Sequence, residues 1–312
     1  MTIPIGAAGN GGSNPLVSLV TPAYNQGPFL REAVESVLAQ TYPAVEYIVI
    51  DDGSTDNTRE ILSAYGGRVR WESQPNRGQA ATLNRGWSMA RGDLLGYLSA
   101  DDVLLPDAVE AGVRMLMGDP RLVAVYPDFY LIDRRSRLIK EVRRPDFDYR
   151  DLVLRGVCHP GPGALFRRTA YLRAGPWDET LRQAPDYEFW LRLGLLGGFG
   201  HIPRPLAKFR IHGGSQSRGP APPARSDEII RIIAEFYAQR SDLPAEILRG
   251  KRQALSTAYL LAARSHFGAR RYTTAMQRVW RAAALYPRHL LSPGTYRLLL
   301  GGLTERWRYQ LP

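Results

Sequence analysis

Short apolar runs alternate with helically spaced segments through the first hundred residues. Leu16–Thr21 (LVSLVT) reads as a buried strand halted by Pro22. From Pro28 to Gln40 the residues Phe29, Leu30, Val34, Val37 and Leu38 recur at helical spacing. Val45–Ile50 (VEYIVI) is a second strand, followed by a helix over Asp56–Tyr65 with Asp56 as its cap. Val69 and Trp71 mark a third strand, Gln79–Ala90 a helix and Leu94–Leu98 a fourth strand. Strand and helix alternating at this cadence predict a parallel, doubly wound α/β sheet.

The second half is less regular. A helix from Pro106 to about Met117 precedes a strand at Leu122–Tyr126, and Asp128–Arg144 reads as a polar hairpin. A short helix over Asp148–Leu154 leads to the loop His159–Gly163 and a strand at Ala164–Phe166. After the Gly175–Glu179 loop, Pro185–Leu196 is a helix with Asp186 and Glu188 in its first turn. Leu206–Ile211 is a strand ending in His212-Gly-Gly-Ser-Gln-Ser217. Gly219–Pro223 is a linker, and helices follow near Ser226–Gln239, Pro244–Phe267, Tyr272–Tyr286 and Pro293–Tyr309.

Ligands of doubly wound sheets sit beyond the carboxyl ends of the strands. Tyr24, the pair Asp51-Asp52 and the pair Asp101-Asp102 all fall at such ends. Adjacent carboxylates raise each other's pKa, and a divalent cation relieves the conflict; hard oxygen ligands suit Mg²⁺ or Mn²⁺. A turn followed by a helix cap explains a single acid pair equally well. Two pairs and an aromatic ring on one edge favour a site.

Composition adds three constraints. The net charge of +11 is concentrated: residues 247–312 hold twelve Lys and Arg against one acid, Glu305, while residues 1–246 balance at 29 of each sign. Cys158 stands alone, which excludes an internal disulfide and reads as a buried, inert thiol. No run reaches the roughly 18 apolar residues of a membrane span, and the first residues lack the pattern of a secretion signal. Residues 1–14, rich in Gly and Asn, read as a flexible arm; their GAAGNGG follows no strand, so a dinucleotide loop is disfavoured.

The run VSLVTPAYNQGPFLREAVESVLAQTYPAVEYIVIDDGSTDNT, then NRGQAATLNRG, then YLSADD, resembles a family 2 glycosyltransferase of the bacterial cell-surface polysaccharide type. The segments PDYEFWLRL and FRIHGGSQS agree with it. The resemblance covers about Pro15 to Ser217. It implies a GT-A fold, a doubly wound mixed sheet flanked by helices, over residues 15–218. Residues 15–105 would be the nucleotide-binding half and 106–218 the acceptor half, with a basic helical region at 219–312. It implies that Pro22 and Tyr24 line the base pocket, that Asp52 accepts the base N–H with Asp51 supporting it, and that Asp101 approaches the ribose or supports the metal. Asp102 and His212 would hold Mn²⁺ or Mg²⁺. Relatives often carry a third acid two residues before this pair, where this chain has Ser99. The metal then depends more on Asp102 and on phosphate oxygens.

The same resemblance makes Asp186 the base of an inverting transfer, with Glu188 in reserve. His159, Gly161, Trp177 and Asp178 are candidates for sugar or acceptor contact. The expected reaction moves a sugar from a nucleotide-diphospho-sugar, first of all a UDP-sugar, to a hydroxyl of a glycan or lipid-linked acceptor. A nucleotide-sugar-binding scaffold without turnover is the alternative. The arginine-rich tail, interleaved with Leu255, Tyr259, Met276 and Trp280, predicts peripheral attachment to an anionic membrane on its cytoplasmic face. No nucleic-acid motif accompanies the charge.

Overall fold

The computed structural model describes residues 14–214 and 221–308. The elements are β1 (Val17–Ala23), α1 (Gly27–Leu38), β2 (Val45–Asp51), α2 (Thr58–Ser63), β3 (Arg70–Ser73), α3 (Gln79–Met89), β4 (Leu94–Tyr97) and β5 (Val103–Leu104). Then come α4 (Ala108–Gly118), β6 (Leu122–Ile132), β7 (Leu138–Val142), α5 (Tyr149–Arg155), β8 (Leu165–Arg167), α6 (Arg168–Ala174), α7 (Pro185–Leu193) and β9 (Gly198–Arg210). The helices α8 (Pro223–Ser226), α9 (Glu228–Ala238), α10 (Ala245–Arg249), α11 (Lys251–Gly268), α12 (Tyr272–Leu285) and α13 (Pro293–Arg308) complete the described chain.

One sheet runs in the order β3-β2-β1-β4-β8-β6-β9-β5, with β7 against β6. Its first four neighbours are parallel, as the alternating pattern predicts. The second half is mixed: β8 is antiparallel to β4 and β6, whereas β6 and β9 are parallel. The strand β6 runs straight through Pro127 into the segment read as a separate hairpin. Register shifts at Pro127/Asp128 and Asp128/Phe129 absorb the missing amide of the proline. The two-residue β5 was not visible in the apolar pattern. It pairs antiparallel with Ala207 and Lys208 of β9, which brings Asp101 and Asp102 alongside Arg210 and His212.

Hydrophobic clusters cover the two faces. One gathers α1, α2 and α4, with Leu30, Val34, Leu62 and Leu116 wholly buried. The other contains Trp87, Phe166, Phe189 and Trp190, and it continues into Ile232, Ile233, Phe236, Ile247, Ala254 and Ala258 of the C-terminal helices. Those helices therefore share a core with the sheet. The segment read as one helix from Pro244 to Phe267 breaks into α10 and α11 at Gly250, where a Cβ would lie 2.3 Å from Leu154. The arm at residues 1–13 and the first two linker residues, Gly219 and Pro220, lie outside the described residues, as do Ser215, Gln216 and Ser217.

Candidate active site

The register of the parallel strands builds the rim. Ala23 of β1 lies opposite Asp51 of β2, and β1 pairs with β4 on its other side, so Tyr24, Asp51-Asp52 and Asp101-Asp102 emerge side by side. Tyr24 is 48% exposed, an aromatic face open to solvent, while Pro22 within β1 is half-buried. Asn25 behind it adopts a left-handed φ of 52°, which Asn tolerates. Its side chain accepts from the Thr55 amide at 2.8 Å and its own amide donates to Ser54 Oγ, tying the Tyr24 loop to the turn after β2.

Asp51 is completely buried and acts from behind: it accepts from the Ser54 amide at 3.0 Å and the Ser73 hydroxyl at 2.7 Å. Asp52 accepts from the amides of Arg77 and Gly78 and from Gln74 Nε2, each at 2.8 Å. It thereby fixes the loop at the start of α3. With two bonds on Oδ1 and one on Oδ2, the carboxylate retains acceptor capacity on Oδ2.

The second acid pair divides its labour. Asp102 is 3% exposed, and its Oδ1 accepts from the Arg210 amide at 2.9 Å. Burial, with the Asp101 charge beside it, pushes its carboxyl well above the usual aspartate range. Asp101 instead turns toward the rim, with Oδ2 at 2.9 Å from His212 Nε2. Of the two residues expected to share an ion, His212 faces the carboxylate of Asp101, while Asp102 accepts from the Arg210 amide. The His212 ring rests against Phe29 of α1 at 4.6 Å, and its Nδ1 lies 3.2 Å from the Gly214 amide. Among the described residues no group of three or more His, Cys, Asp and Glu is placed to hold a metal.

Beneath this pair lies Arg210, 1% exposed, which sequence reading passed over as an ordinary strand residue. Its guanidinium donates to the Asp101 carbonyl at 2.7 Å, the Asp133 carbonyl at 3.2 Å and Ser136 Oγ at 2.8 Å, and it pairs with Glu32 at 2.5 Å. Phe29 stacks on it at 4.9 Å.

Asp186 stands in the first turn of α7, after Pro185. It is half-buried. Burial raises its pKa, the amides of Tyr187 and Asp186 itself pull it down, and the Glu228 charge pushes it up again. Burial pushes the pKa of the Tyr97 phenol, at the end of β4, far up, and the charges of Asp186 and Asp102 push it the same way. Cys158 also faces Asp186; its thiol is pushed far up by burial, which fits an inert thiol.

The remaining candidates have structural partners of their own. Glu188 forms a two-pronged ion pair with Arg192 at 2.6 and 2.7 Å, and Arg192 braces the carbonyls of Gly175 and Pro176, so Glu188 is not a free base. Trp177 is 2% exposed in an aromatic cluster with Trp87, Tyr97 and Phe189, its backbone clasped by Asn84. Asp178 caps the turn at Thr180. His159 is 3% exposed and stacks on Tyr126, with burial and Arg144 lowering its pKa; Gly161 packs near Phe129. Apolar surroundings drew Trp177 and His159 inward.

The family model for glycosyl transferase family 2 matches residues 18–173, half of the chain. The chain belongs to that family. An uncharacterised glycosyltransferase of Rickettsia prowazekii is 34% identical over 207 residues, 64% of this chain and 65% of that protein. The chondroitin synthase of Escherichia coli is 35% identical over 65% of this chain but only 30% of its own length. The chain thus spans under two thirds of the relatives it matches. Among solved structures, Staphylococcus aureus TarS 1–349 in complex with UDP-GlcNAc superimposes with a TM-score of 0.69 at 16% identity, over 93% of this chain and 91% of that one. The mannosyltransferase PcManGT of Pyrobaculum calidifontis, in complex with GDP-Man and Mn²⁺, gives 0.58 at 19% identity over 96% and 89%. These likenesses, with the mixed sheet, define the GT-A fold.

Replacing Arg210 by Met should destabilise the protein by about 3–5 kcal/mol, because removal of one partner strands buried charge. Chemical denaturation of the two proteins measures the difference.

Proposed function

We propose that the protein is an inverting glycosyltransferase that moves a sugar from a nucleoside-diphospho-sugar to an acceptor hydroxyl. The observation that supports the reading is the common rim, an open tyrosine and the Asp52 loop with the Asp101–His212 pair; the Asp186 carboxyl acts electrostatically on Tyr97 at the end of β4. Tyr24 stacks on the base and Asp52 accepts its N–H, a choice that suits uracil. Asp51 and Asn25 hold this pocket from behind.

Asp101 and His212 are the residues that would hold Mg²⁺ or Mn²⁺. A carboxylate and an imidazole, 17% and 10% exposed, suit a hard cation that takes its other ligands from the diphosphate and water. The ion would offset charge on the leaving diphosphate. Asp186 takes the proton of the acceptor hydroxyl as its oxygen bonds to the anomeric carbon. The bond from that carbon to the diphosphate oxygen breaks, and its electron pair leaves with the nucleoside diphosphate. Burial favours the task, since a raised carboxyl pKa makes a stronger base. The intact base argues for turnover over a binding scaffold.

The acceptor reading is a glycan or lipid-linked hydroxyl reached at the cytoplasmic face of a membrane. Tyr272, Met276 and Trp280 recur every four residues along α12, 53%, 46% and 72% exposed, with Arg281 exposed beside Trp280. Neither α11 nor α12 contains an acid. An aromatic stripe flanked by cations suits an anionic lipid surface. Two of the expected surface arginines serve the fold instead: Arg278 pairs with Asp227, and Arg271 with His266 and Ser226. No helix among the described residues is long and apolar enough to cross a membrane.

Asp186→Asn should lower kcat about 10²- to 10⁴-fold. In the wild type, kcat should fall as pH drops through the Asp186 pKa, at higher pH than the roughly 3.9 of an ordinary aspartate; turnover of a panel of UDP-, GDP- and dTDP-sugars across pH measures both. Asp101→Asn should abolish the rise in Tm that Mn²⁺ and UDP together produce. Asp102→Asn should keep it, since an amide oxygen still accepts from Arg210; thermal melts distinguish the two. Trp280→Glu should reduce flotation with phosphatidylglycerol vesicles while leaving Tm unchanged. A point change is used because truncation before α8 would strip the shared core.

A further inference from the structure

The helix α7 begins without a cap of its own. Ala184 at its N-cap has no side-chain acceptor, and Pro185 has no amide hydrogen. The amides of Arg182, Gln183 and Ala184 nevertheless all find a partner in one carboxylate, that of Glu228 at the start of α9. The bonds measure 2.8, 2.7 and 2.8 Å, with Oε2 taking the first and Oε1 the other two. Glu228 is 7% exposed, and the residues it grips lie more than forty positions earlier in the chain. It stands beyond residue 173, where the family model ends.

We propose that Glu228 is a positioning residue for Asp186: by accepting three consecutive amides, it fixes the turn that launches α7 and hence the carboxylate two residues beyond. The inference rests on the reading of Asp186 as the acceptor-activating base. The geometry leaves little slack. Ala184 is clamped on one side of Asp186, and on the other Tyr187 anchors its hydroxyl to the Leu152 carbonyl at 2.8 Å. The turn also reaches the nucleoside end. The Arg182 guanidinium donates to the Arg77 carbonyl at 2.9 Å, in the loop whose amides hold Asp52. Gly78 is required there, since a Cβ at its φ of 86° would collide with that guanidinium.

The groups that face Asp186 are Tyr97 on β4, Cys158 before β8 and Glu228 on α9. Of these, Glu228 is the one whose charge raises the Asp186 pKa, adding to the larger effect of burial. Removal of the clamp therefore has two separable consequences, a looser turn and a more acidic Asp186.

The experiment compares the full chain with Glu228→Gln, Glu228→Asp and Asp186→Asn. Hydrogen exchange is followed by mass spectrometry, aspartate ¹³C carboxyl titration by NMR with Asp186→Asn as the assignment control, and UDP affinity by calorimetry with Mn²⁺. The expected result for Glu228→Gln is faster exchange confined to residues 182–188, a lower Asp186 titration midpoint, UDP affinity within twofold and at least tenfold lower turnover of the nucleotide-sugar panel. Glu228→Asp, which keeps the charge on a shorter arm, should keep the midpoint near the wild-type value while turnover falls between the two. The proposal is overturned if Glu228→Gln leaves exchange and midpoint unchanged. It is equally overturned if exchange rises throughout the chain and UDP affinity falls in step, the mark of general loosening. An active Asp186→Asn protein would sink the base assignment itself, which an unaltered Glu228→Gln protein beside an inactive Asp186→Asn protein would not.

Discussion

A guanidinium with almost no exposure organises the rim. Two adjacent carboxylates at the end of a buried strand repel each other, and desolvation penalises the inner one further. Arg210 resolves this by position. Its amide binds Asp102, its side chain binds the Asp101 carbonyl, and its remaining donors go to Asp133, Ser136 and Glu32. With the inner acid held, the outer one is free to face His212, two residues past the end of β9. The cation and the imidazole are thus delivered together by β9, and the short ladder between β5 and β9 sets their register against the acid pair.

The parallel half was legible because its strands are continuous apolar runs and its helices show a 3.6-residue period. The mixed half was less so. Pro127 signals a strand end, yet β6 passes through it by shifting register, and β5 is too short to leave any pattern. The acids at the rim were visible, as runs of Asp after apolar strands. Their division into inner and outer members was not, because it depends on Arg210, which lies more than a hundred residues away in sequence. Glu188 and Asp186 look alike in sequence, two acids in one first turn. The structure separates them because Arg192, one helical turn on, takes the side chain of Glu188. Similarly, Trp177 and His159 carried signatures of contact residues, but aromatic packing drew both inward.

The C-terminal helices were read from the sequence as an appendage defined by charge, and charge proved a poor guide to their role. Leu, Ile and Phe side chains of α9 to α11 enter the cluster that contains Trp87 and Phe189. Arg271 and Arg278 look like surface cations in sequence, yet both are spent on internal contacts with His266, Ser226 and Asp227. What remains facing solvent on α12 is narrower and more amphipathic than the net charge suggests.

On the proposed reading, the Asp52 loop and Asp186 must be held relative to one another although they belong to elements far apart in the chain. A transfer reaction needs both fixed to within fractions of an ångström. Here the connection runs through backbone atoms: Asp52 holds the amides of Arg77 and Gly78, the Arg77 carbonyl holds Arg182, and the amides of Arg182 to Ala184 are held by Glu228. Carboxylates that accept several amides at once are stiff anchors, since each bond restricts the same few torsions. Two such anchors, one at each end of a path only a few residues long, tie the nucleoside pocket to the start of α7 without passing through the substrate. These bonds link the Asp52 loop to the start of α7 through the chain's own atoms, and α9, beyond the family segment, supplies one of the two anchors.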